Sequence, residues 1–378
     1  MRFLLVVGLV TACAPASERI PPVGAAFVLA AGDSTFLIES GPRGFEVFRA
    51  PILLARLDGR FEELYIVDRD YSFPRALFVS QAVYRRDLLT GDSTLVWEDP
   101  EVARIAARYQ QRHPGERPLD PDDEMLDDST TQATTDTELL DAVGPYLNIE
   151  FHLDVDASPE PHTHLSLRRV INLRSGHVAS LADLTDSSTV PAALAAGERL
   201  FREARDSVRR ATDARAARAR EVVGAFRFDP ASFELVDLDS SAVVAFFAAG
   251  HGASTAGYVL PVGDVPLRPT GWHQDYRDTR PASFDSTRLE WRDTAWTLVA
   301  TGRSDRATAV LSLVVNGESH PITEVPMPVR RLYRLSSSAS DLRWRNALRR
   351  AFAEWASDAV VAPTASPRPT PPRPPGTT

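Results

Sequence analysis

The chain has 378 residues, of which 43% are hydrophobic and 25% are charged, so it is long enough for two or three domains with cores of their own. The net charge of −9 argues against nucleic acid as a partner of the whole chain, because nucleic-acid binding requires a basic surface. Cys13 is the single cysteine, which excludes an intrachain disulfide and a cysteine-rich metal site.

The first residues predict export and lipidation. One arginine is followed by a short apolar run that ends in Val10-Thr11-Ala12-Cys13. The run is too short to cross a bilayer as a helix, but it suits a secretory signal, and its end resembles a bacterial lipobox. We expect a lipoprotein signal peptide at 1–12, a lipid-modified Cys13 and a tether at 13–23. An ordinary signal peptide with an incidental cysteine is the alternative.

The residue after the cysteine is Ala14 and not an aspartate. In this respect the sequence resembles lipoproteins that are sorted to the outer membrane. We therefore expect the protein in the bacterial cell envelope, held by a lipid anchor and facing the periplasm.

Residues 24–117 predict an N-terminal antiparallel β domain with one helix. Strand-like runs alternate with hairpin-type turns such as Leu57-Asp58-Gly59. The predicted strands are 26–31, 35–40, 44–49, 52–57, 63–68, 77–88 and 94–98. Asp99-Pro100 predicts the start of a helix, because proline is favoured in the first helical turn, and His113-Pro114-Gly115 predicts its end.

Residues 118–142 predict an acidic linker. The segment contains no arginine and few large apolar residues, which is typical of a solvated chain. A calcium loop is the alternative, since Asp120, Asp122, Asp123 and Glu124 bring carboxylates together. The spacing lacks the central glycine and terminal glutamate of an EF-hand.

Residues 143–275 predict a central α+β domain. Apolar residues alternate with polar ones from Leu147 to Val155, and a second alternating run follows from Leu165 to Leu173. A helix over 190–210 carries a stripe of Leu194, Phe201 and Val208, which we expect to cover the apolar face of the first run. Arg215 and Arg218, beyond the stripe, are expected to face water.

Four short segments of this region carry a family resemblance. They are Tyr146–Phe151, His162, the turn Asn172-Leu173-Arg174-Ser175-Gly176 with the following Ser180-Leu181-Ala182-Asp183-Leu184, and Gly257-Tyr258-Val259-Leu260-Pro261. Residues 144–267 resemble the RsiV-like domain, an extracytoplasmic family found in lysozyme-sensing anti-sigma factors and beside peptidoglycan deacetylases. The resemblance implies an α+β fold and a ligand related to lysozyme or to peptidoglycan. Ser158–His162 and Ala249–Gly252 depart from the family pattern in loops, which leaves the ligand open.

Residues 276–358 predict a C-terminal β-meander followed by a helix. The helix carries a stripe of Leu342, Leu348, Phe352 and Trp355. The segment 359–378 is proline-rich and is predicted to be disordered. The whole chain is thus predicted to be an α+β protein of antiparallel β-meanders packed against a few helices, in two or three domains.

Histidines give the clearest candidate for a metal site. His162 and His164 are two residues apart, so on a strand they point to one side, as paired ligands do. His152 or one of the acids Asp154, Asp156 and Glu160 could complete the site. The alternative is a polar hairpin with solvated imidazoles.

The sequence offers no catalytic residue. It lacks the nucleophile elbow, the phosphate loop and the zinc-protease helix motif. Five tryptophans are candidates for stacking on a glycan, although four fit core patterns. They are Trp272, Trp291, Trp296, Trp344 and Trp355.

Two functions are compatible with these patterns. The first is a non-catalytic lipoprotein that binds a protein or glycan ligand of the cell envelope, without a cofactor. The alternative is a metal-assisted hydrolase acting on an envelope polymer.

Overall fold

The computed structural model describes residues 26–41, 44–120, 131–212, 217, 220–238, 242–252, 255, 259–268, 270–272, 283–285, 287–292, 296–304, 307–336 and 342–361. Three sheets, antiparallel in all but one strand pair, pack against one another and against helices. The predicted α+β fold of antiparallel meanders is therefore confirmed. None of the described helices is both long and apolar enough to span a membrane. Cys13, the tether and the segment 362–378 lie outside the described residues.

The first sheet forms the middle layer of the molecule. Its strands, in spatial order, are β19 (Leu332–Ser336), β1 (Ala26–Ala31), β2 (Ser34–Gly41) and β3 (Gly44–Ala50). Every residue of β1 is buried, because both faces of the strand are covered. Phe27 and Leu29 belong to one apolar core, whereas Val28 and Ala30 belong to another.

The central sheet has ten strands. They are β4 (Leu53–Leu57), β5 (Arg60–Asp70), β6 (Ala76–Asp87), β7 (Ser93–Glu98), β8 (Thr131–Val143), β9 (Tyr146–Asp156), β10 (Thr163–Asn172), β11 (Phe226–Leu238), β12 (Ala242–His251) and β13 (Leu260–Leu267). The spatial order is β11-β12-β10-β9-β8-β6-β5-β4, with β13 beside β12 and β7 beside β6. Two antiparallel meanders, β4–β6 and β8–β10, join where β6 pairs in parallel with β8.

The third sheet is a meander in chain order. Its strands are β14 (Ser283–Asp285), β15 (Arg288–Arg292), β16 (Trp296–Gly302), β17 (Ala309–Val315) and β18 (Glu318–Val325). Trp291 and Leu298 of this sheet share a core with Phe27 and Leu29 of β1.

Helices cover the central sheet on different sides. They are α1 (Glu101–Arg112), α2 (Leu181–Leu184), α3 (Val190–Arg210) and the C-terminal helix (Leu342–Val361). Ser180 and Asp183 form a capping box at the start of α2. Gly176, in the turn before it, has a φ of +73°, and a Cβ there would lie 2.3 Å from the carbonyl oxygen of Val96, so only glycine fits.

The predicted division into an N-terminal, a central and a C-terminal region does not match the sheets. Strands β4–β7 belong to the same sheet as β8–β13, and β1 pairs with β19 from the other end of the chain. Hydrogen bonds between strands thus cross both predicted boundaries. The patterns located the strands, but they carry no information on which distant strands pair.

The predicted acidic linker at 118–142 is wrong for its second half. Thr131–Val143 is strand β8, which pairs with β9 on one side and with β6 on the other. Its inward side chains include Ala133, Thr135 and Thr137, which are small and therefore gave no strong apolar signal. The calcium candidates Asp122, Asp123 and Glu124 lie outside the described residues, and Asp120 forms an exposed ion pair with Arg117.

The predicted position of α3 is also wrong. The apolar face of β9, from Leu147 to Val155, packs in one core with Val102 and Ile105 of α1. Helix α3 lies instead on β13 and β11, where Phe201 packs with Phe226. The burial of Phe201 is confirmed, but Leu194 and Val208 are only half-buried, and Arg215 and Arg218 lie outside the described residues.

The predicted stripe of the C-terminal helix is correct in its middle and wrong at its end. Leu348 and Phe352 are buried, whereas Trp355 is exposed. Residues 353–357 are all exposed, so the buried stripe ends at Phe352.

Candidate functional site

A cavity of about 470 Å³ lies between α1 and the hairpin of β9 and β10. Its floor is apolar and is formed by one side chain of the helix and by four side chains of the hairpin that point toward the helix. These residues are Ile105, Phe151, Leu153, Val155 and Leu165. The floor follows from the alternation in β9, which places every second side chain on the α1 side of the sheet. A concave apolar floor of this size is typical of a ligand site.

The rim of the cavity carries both signs of charge. Arg169 of β10 lies 2.8 Å from Asp99, at the start of α1. Arg108 bridges Glu101, at 3.2 Å, and Glu160 of the hairpin loop, at 3.1 Å. These ion pairs connect the helix to the hairpin and fix the orientation of the charged groups around the opening.

Two arginines of the rim differ in their access to solvent. Arg104 pairs with Glu101 at 2.6 Å, but its side chain is 61% exposed. Arg169 is 19% exposed, and its guanidinium lies 4.6 Å from the ring centre of Phe151 and 5.8 Å from that of Trp97. The guanidinium of Arg169 is thus held against two aromatic rings on one side of the cavity. The side chain of Arg104 can turn toward a ligand, because an exposed ion pair such as the one with Glu101 contributes little stability.

The opposite face of the same hairpin holds a buried polar network. Arg168 lies 2.5 Å from Glu150, and Nε2 of His152 donates a hydrogen bond to Glu150 at 3.1 Å. Nδ1 of His152 is 2.9 Å from the hydroxyl of Ser166. Because both ring nitrogens have protein partners, the structure places His152 in a hydrogen-bond network and not with the other two candidate histidines.

Burial shapes the electrostatics of this network. Burial raises the pKa of Glu150, but the hydrogen bond from His152 and the charge of Arg168 outweigh it, so that this pKa lies below its ordinary value. Burial lowers the pKa of Arg168, and the Glu150 carboxylate opposes that effect. The pKa of Asp141 is raised because its carboxyl group is completely buried, although Arg331 and a hydrogen bond from Asn148 act in the opposite direction. The network extends to strand β11 through Glu234, which contacts both Arg168 and Arg331.

His162 and His164 are brought together at the tip of the hairpin. Their Nε2 atoms are 2.7 Å apart, and the rings meet edge to face at 4.5 Å between centres. Nδ1 of His164 lies 3.1 Å from Asp154, and Nδ1 of His162 lies 3.6 Å from Asp156. Among the described residues, no three His, Cys, Asp or Glu side chains converge as ligands of one metal ion.

Four of the five candidate tryptophans pack inside the protein. Trp272 is buried and donates a hydrogen bond to the carbonyl of Leu184, and Trp344 packs on Phe61. Trp291 and Trp296 belong to the core between the first and third sheets. Trp355 is 39% exposed, so it is the one candidate that the structure leaves open to a ligand.

The sequence did not predict the cavity. Asp99-Pro100 and the alternation of β9 each indicated one wall of it, but the two lie about 50 residues apart in the chain.

No family model matches the sequence, and no curated protein shows significant similarity to it.

Proposed function

We propose that the protein is a non-catalytic binding protein of the cell envelope, lipid-anchored at Cys13, and that its ligand occupies the cavity between α1 and the hairpin of β9 and β10. The observation that carries this proposal is the apolar floor beneath a rim of fixed, paired charges. The concave floor can match the shape of a ligand, and the charged rim can fix the orientation of that ligand, as selective binding requires.

The ligand class follows from the rim. Three arginines alternate with three carboxylates around the opening, so a ligand with both charge signs and small apolar groups fits best. A peptide segment of a protein or of a peptidoglycan fragment has this character. The resemblance of residues 144–267 to the RsiV-like domain points to the same two ligands, lysozyme-like protein and peptidoglycan, and remains a proposal.

The alternative, a metal-assisted hydrolase, is supported only by the pair His162 and His164. A catalytic zinc ion is usually held by three protein ligands. Two histidines with no third side chain converging on them in the described part of the chain favour binding over hydrolysis.

The experiment compares two probes on one purified protein. Egg-white lysozyme and soluble peptidoglycan fragments are titrated separately into the soluble form that begins after Cys13. We expect one of them to bind, and Arg104→Glu to weaken that binding at least tenfold because it reverses the exposed charge of the rim. Arg202→Glu makes the same charge change on the exposed side of α3 and should bind like the wild type.

Two results would contradict the proposal. The first is that the protein is folded and neither probe binds. The second is that Arg104→Glu and Arg202→Glu bind the probe with the same affinity. Hydrolysis of the fragments that stops when a chelator is added would favour the alternative function.

A further inference from the structure

The pair His162 and His164 lies at the surface, apart from the side chains that form the cavity floor. His162 is 52% exposed and His164 is 15% exposed, so solvent reaches the gap between their rings. The chain fixes the pair locally, because His164 is on β10 directly opposite Asp154 of β9 and His162 is two residues before it. The arrangement therefore needs no ligand to form.

A carboxylate lies behind each of the two rings. An ionised carboxylate only accepts hydrogen bonds, and Asp154 lies 3.1 Å from Nδ1 of His164, which favours the proton of that neutral imidazole on Nδ1. Asp156 lies 3.6 Å from Nδ1 of His162, beyond hydrogen-bond distance, and acts on that ring through its charge alone. The lone pair of His164 is therefore on Nε2, the atom that faces Nε2 of His162.

At 2.7 Å the two Nε2 atoms share a hydrogen bond, and a metal ion that replaces its proton can accept a lone pair from each ring. A carboxylate on the far nitrogen is also the usual partner of a histidine that binds a metal, because it fixes the ring and makes Nε2 a better donor. In addition, Oδ1 of Asp154 is buried and lies 3.1 Å from Nδ1 of His164, so this carboxylate restrains the His164 ring from behind.

We propose that His162 and His164 bind one divalent transition-metal ion of the class that imidazole prefers, such as Zn²⁺, Ni²⁺ or Cu²⁺. Both Nε2 atoms are ligands, and Asp154 and Asp156 orient the rings from behind. Two nitrogens bound tetrahedrally at about 2.0–2.1 Å from zinc lie roughly 3.4 Å apart. The rings therefore have to separate by less than 1 Å, which a small rotation of the exposed His162 allows.

The remaining coordination positions of the ion are open to solvent. No third described side chain reaches the pair as a ligand, so water or a group of a bound ligand fills these positions. The open face makes this a site for exchangeable metal, unlike a closed structural zinc site with four protein ligands.

Calorimetric titration of the full-length processed protein with each metal salt alone tests the proposal. One equivalent of at least one of the three ions should bind, and His162→Ala and His164→Ala should each weaken that binding at least tenfold. His177→Ala, which removes an exposed histidine from a distant turn, should bind like the wild type. With Cu²⁺, the electron paramagnetic resonance spectrum should show coupling to two imidazole nitrogens.

The proposal fails if no ion binds saturably or if His162→Ala binds metal as tightly as the wild type. Either result would mean that the two rings are held together by their own hydrogen bond and do not form the metal site. His162 is exposed, so its replacement should leave the thermal unfolding temperature of the apo protein unchanged. The Arg104→Glu test of the ligand cavity leaves both histidines intact, so the two proposals can fail separately.

Discussion

The side-chain amide of Asn148 binds both backbone groups of Leu235, a residue 87 positions further along the chain. Its nitrogen donates to the carbonyl of Leu235 at 2.7 Å, and its oxygen accepts from the N–H of Leu235 at 2.9 Å. Leu235 lies on β11, the edge strand of the central sheet. The amide thus satisfies two edge groups that would otherwise be buried without partners.

Asn148→Ala should be strongly destabilising for this reason. It leaves the N–H and the carbonyl of Leu235 buried without partners, each at a cost of about 1–3 kcal/mol. Chemical denaturation should therefore show a loss of at least about 2 kcal/mol in the free energy of unfolding. Asn346→Ala, at an exposed position of the C-terminal helix, should change it by no more than about 0.5 kcal/mol. Equal effects at the two positions would show that Asn148 does not hold the edge strand.

Glu150→Gln should make stability less dependent on pH. The folded pKa of Glu150 lies below its unfolded value, so its ionised form stabilises the fold above the unfolded pKa of about 4.3. That contribution disappears as the pH falls through the folded pKa. At pH 7 the variant should lose roughly 1–3 kcal/mol, because Arg168 keeps its charge and loses the nearer of its two carboxylate partners.

The difference between wild type and Glu150→Gln should therefore shrink when unfolding is measured at pH 3. Glu203→Gln is the control, since Glu203 is 64% exposed and makes only a 3.8 Å contact with Arg199. A difference at Glu150 that stays constant from pH 7 to pH 3 would rule out the ion pair as its cause.

Gly197→Ala should destabilise the protein even though alanine favours helices. Gly197 lies on the buried side of α3, and a Cβ there would be 2.9 Å from the ring of Phe246 and 3.0 Å from that of Phe228. Overpacking of this kind costs about 1–3 kcal/mol, more than the roughly 1 kcal/mol that alanine gains over glycine in a helix. Thermal unfolding should detect the loss.

Ala195→Gly, on the exposed side of the same helix, provides the matched comparison. It should cost about 1 kcal/mol from helix propensity alone. If Gly197→Ala raised the unfolding temperature, the close approach of α3 to β11 and β12 would be incorrect.

Cys13→Ser should release the protein from membranes or leave its signal peptide uncleaved. The reason is that lipid modification requires the cysteine thiol, and the sequence has no second cysteine. Fractionation of cells that express each form would measure this. A variant that sediments with membranes to the same extent as the wild type would disprove the lipid anchor.

Local patterns were sufficient to predict most strands, because alternation of polar and apolar residues depends only on neighbouring positions. The predicted strand at 26–31 has the same bounds as β1, and the meander of residues 288–325 was predicted to within a few residues. Strand β8 was missed because Ala133, Thr135 and Thr137 bury small side chains. Its stability comes from pairing with two neighbours, which no local pattern records.

The candidate site was less accessible to sequence reasoning. The spacing of His162 and His164 predicted that they point to one side of a strand; the two rings do meet, but His162 lies in the loop before β10. The cavity depends on α1 lying over β9, and the apolar stripe of α3 predicts that α3 covers the same face. A stripe shows that a helix has a buried side but not which strands it packs on, and Gly197 of α3 lies against Phe246 of β12.

Because β1 pairs with β19, the first sheet cannot form completely until the residues of β19 have been synthesised. Strand β2 is available to β1 as soon as their hairpin has been made, but the other edge of β1 stays open until Leu332–Ser336 has been synthesised. An apolar strand with an open edge readily pairs with other chains. A nascent chain of this protein therefore carries an aggregation-prone edge through most of its synthesis, and a chaperone that covers β1 during that interval should increase the yield of folded protein.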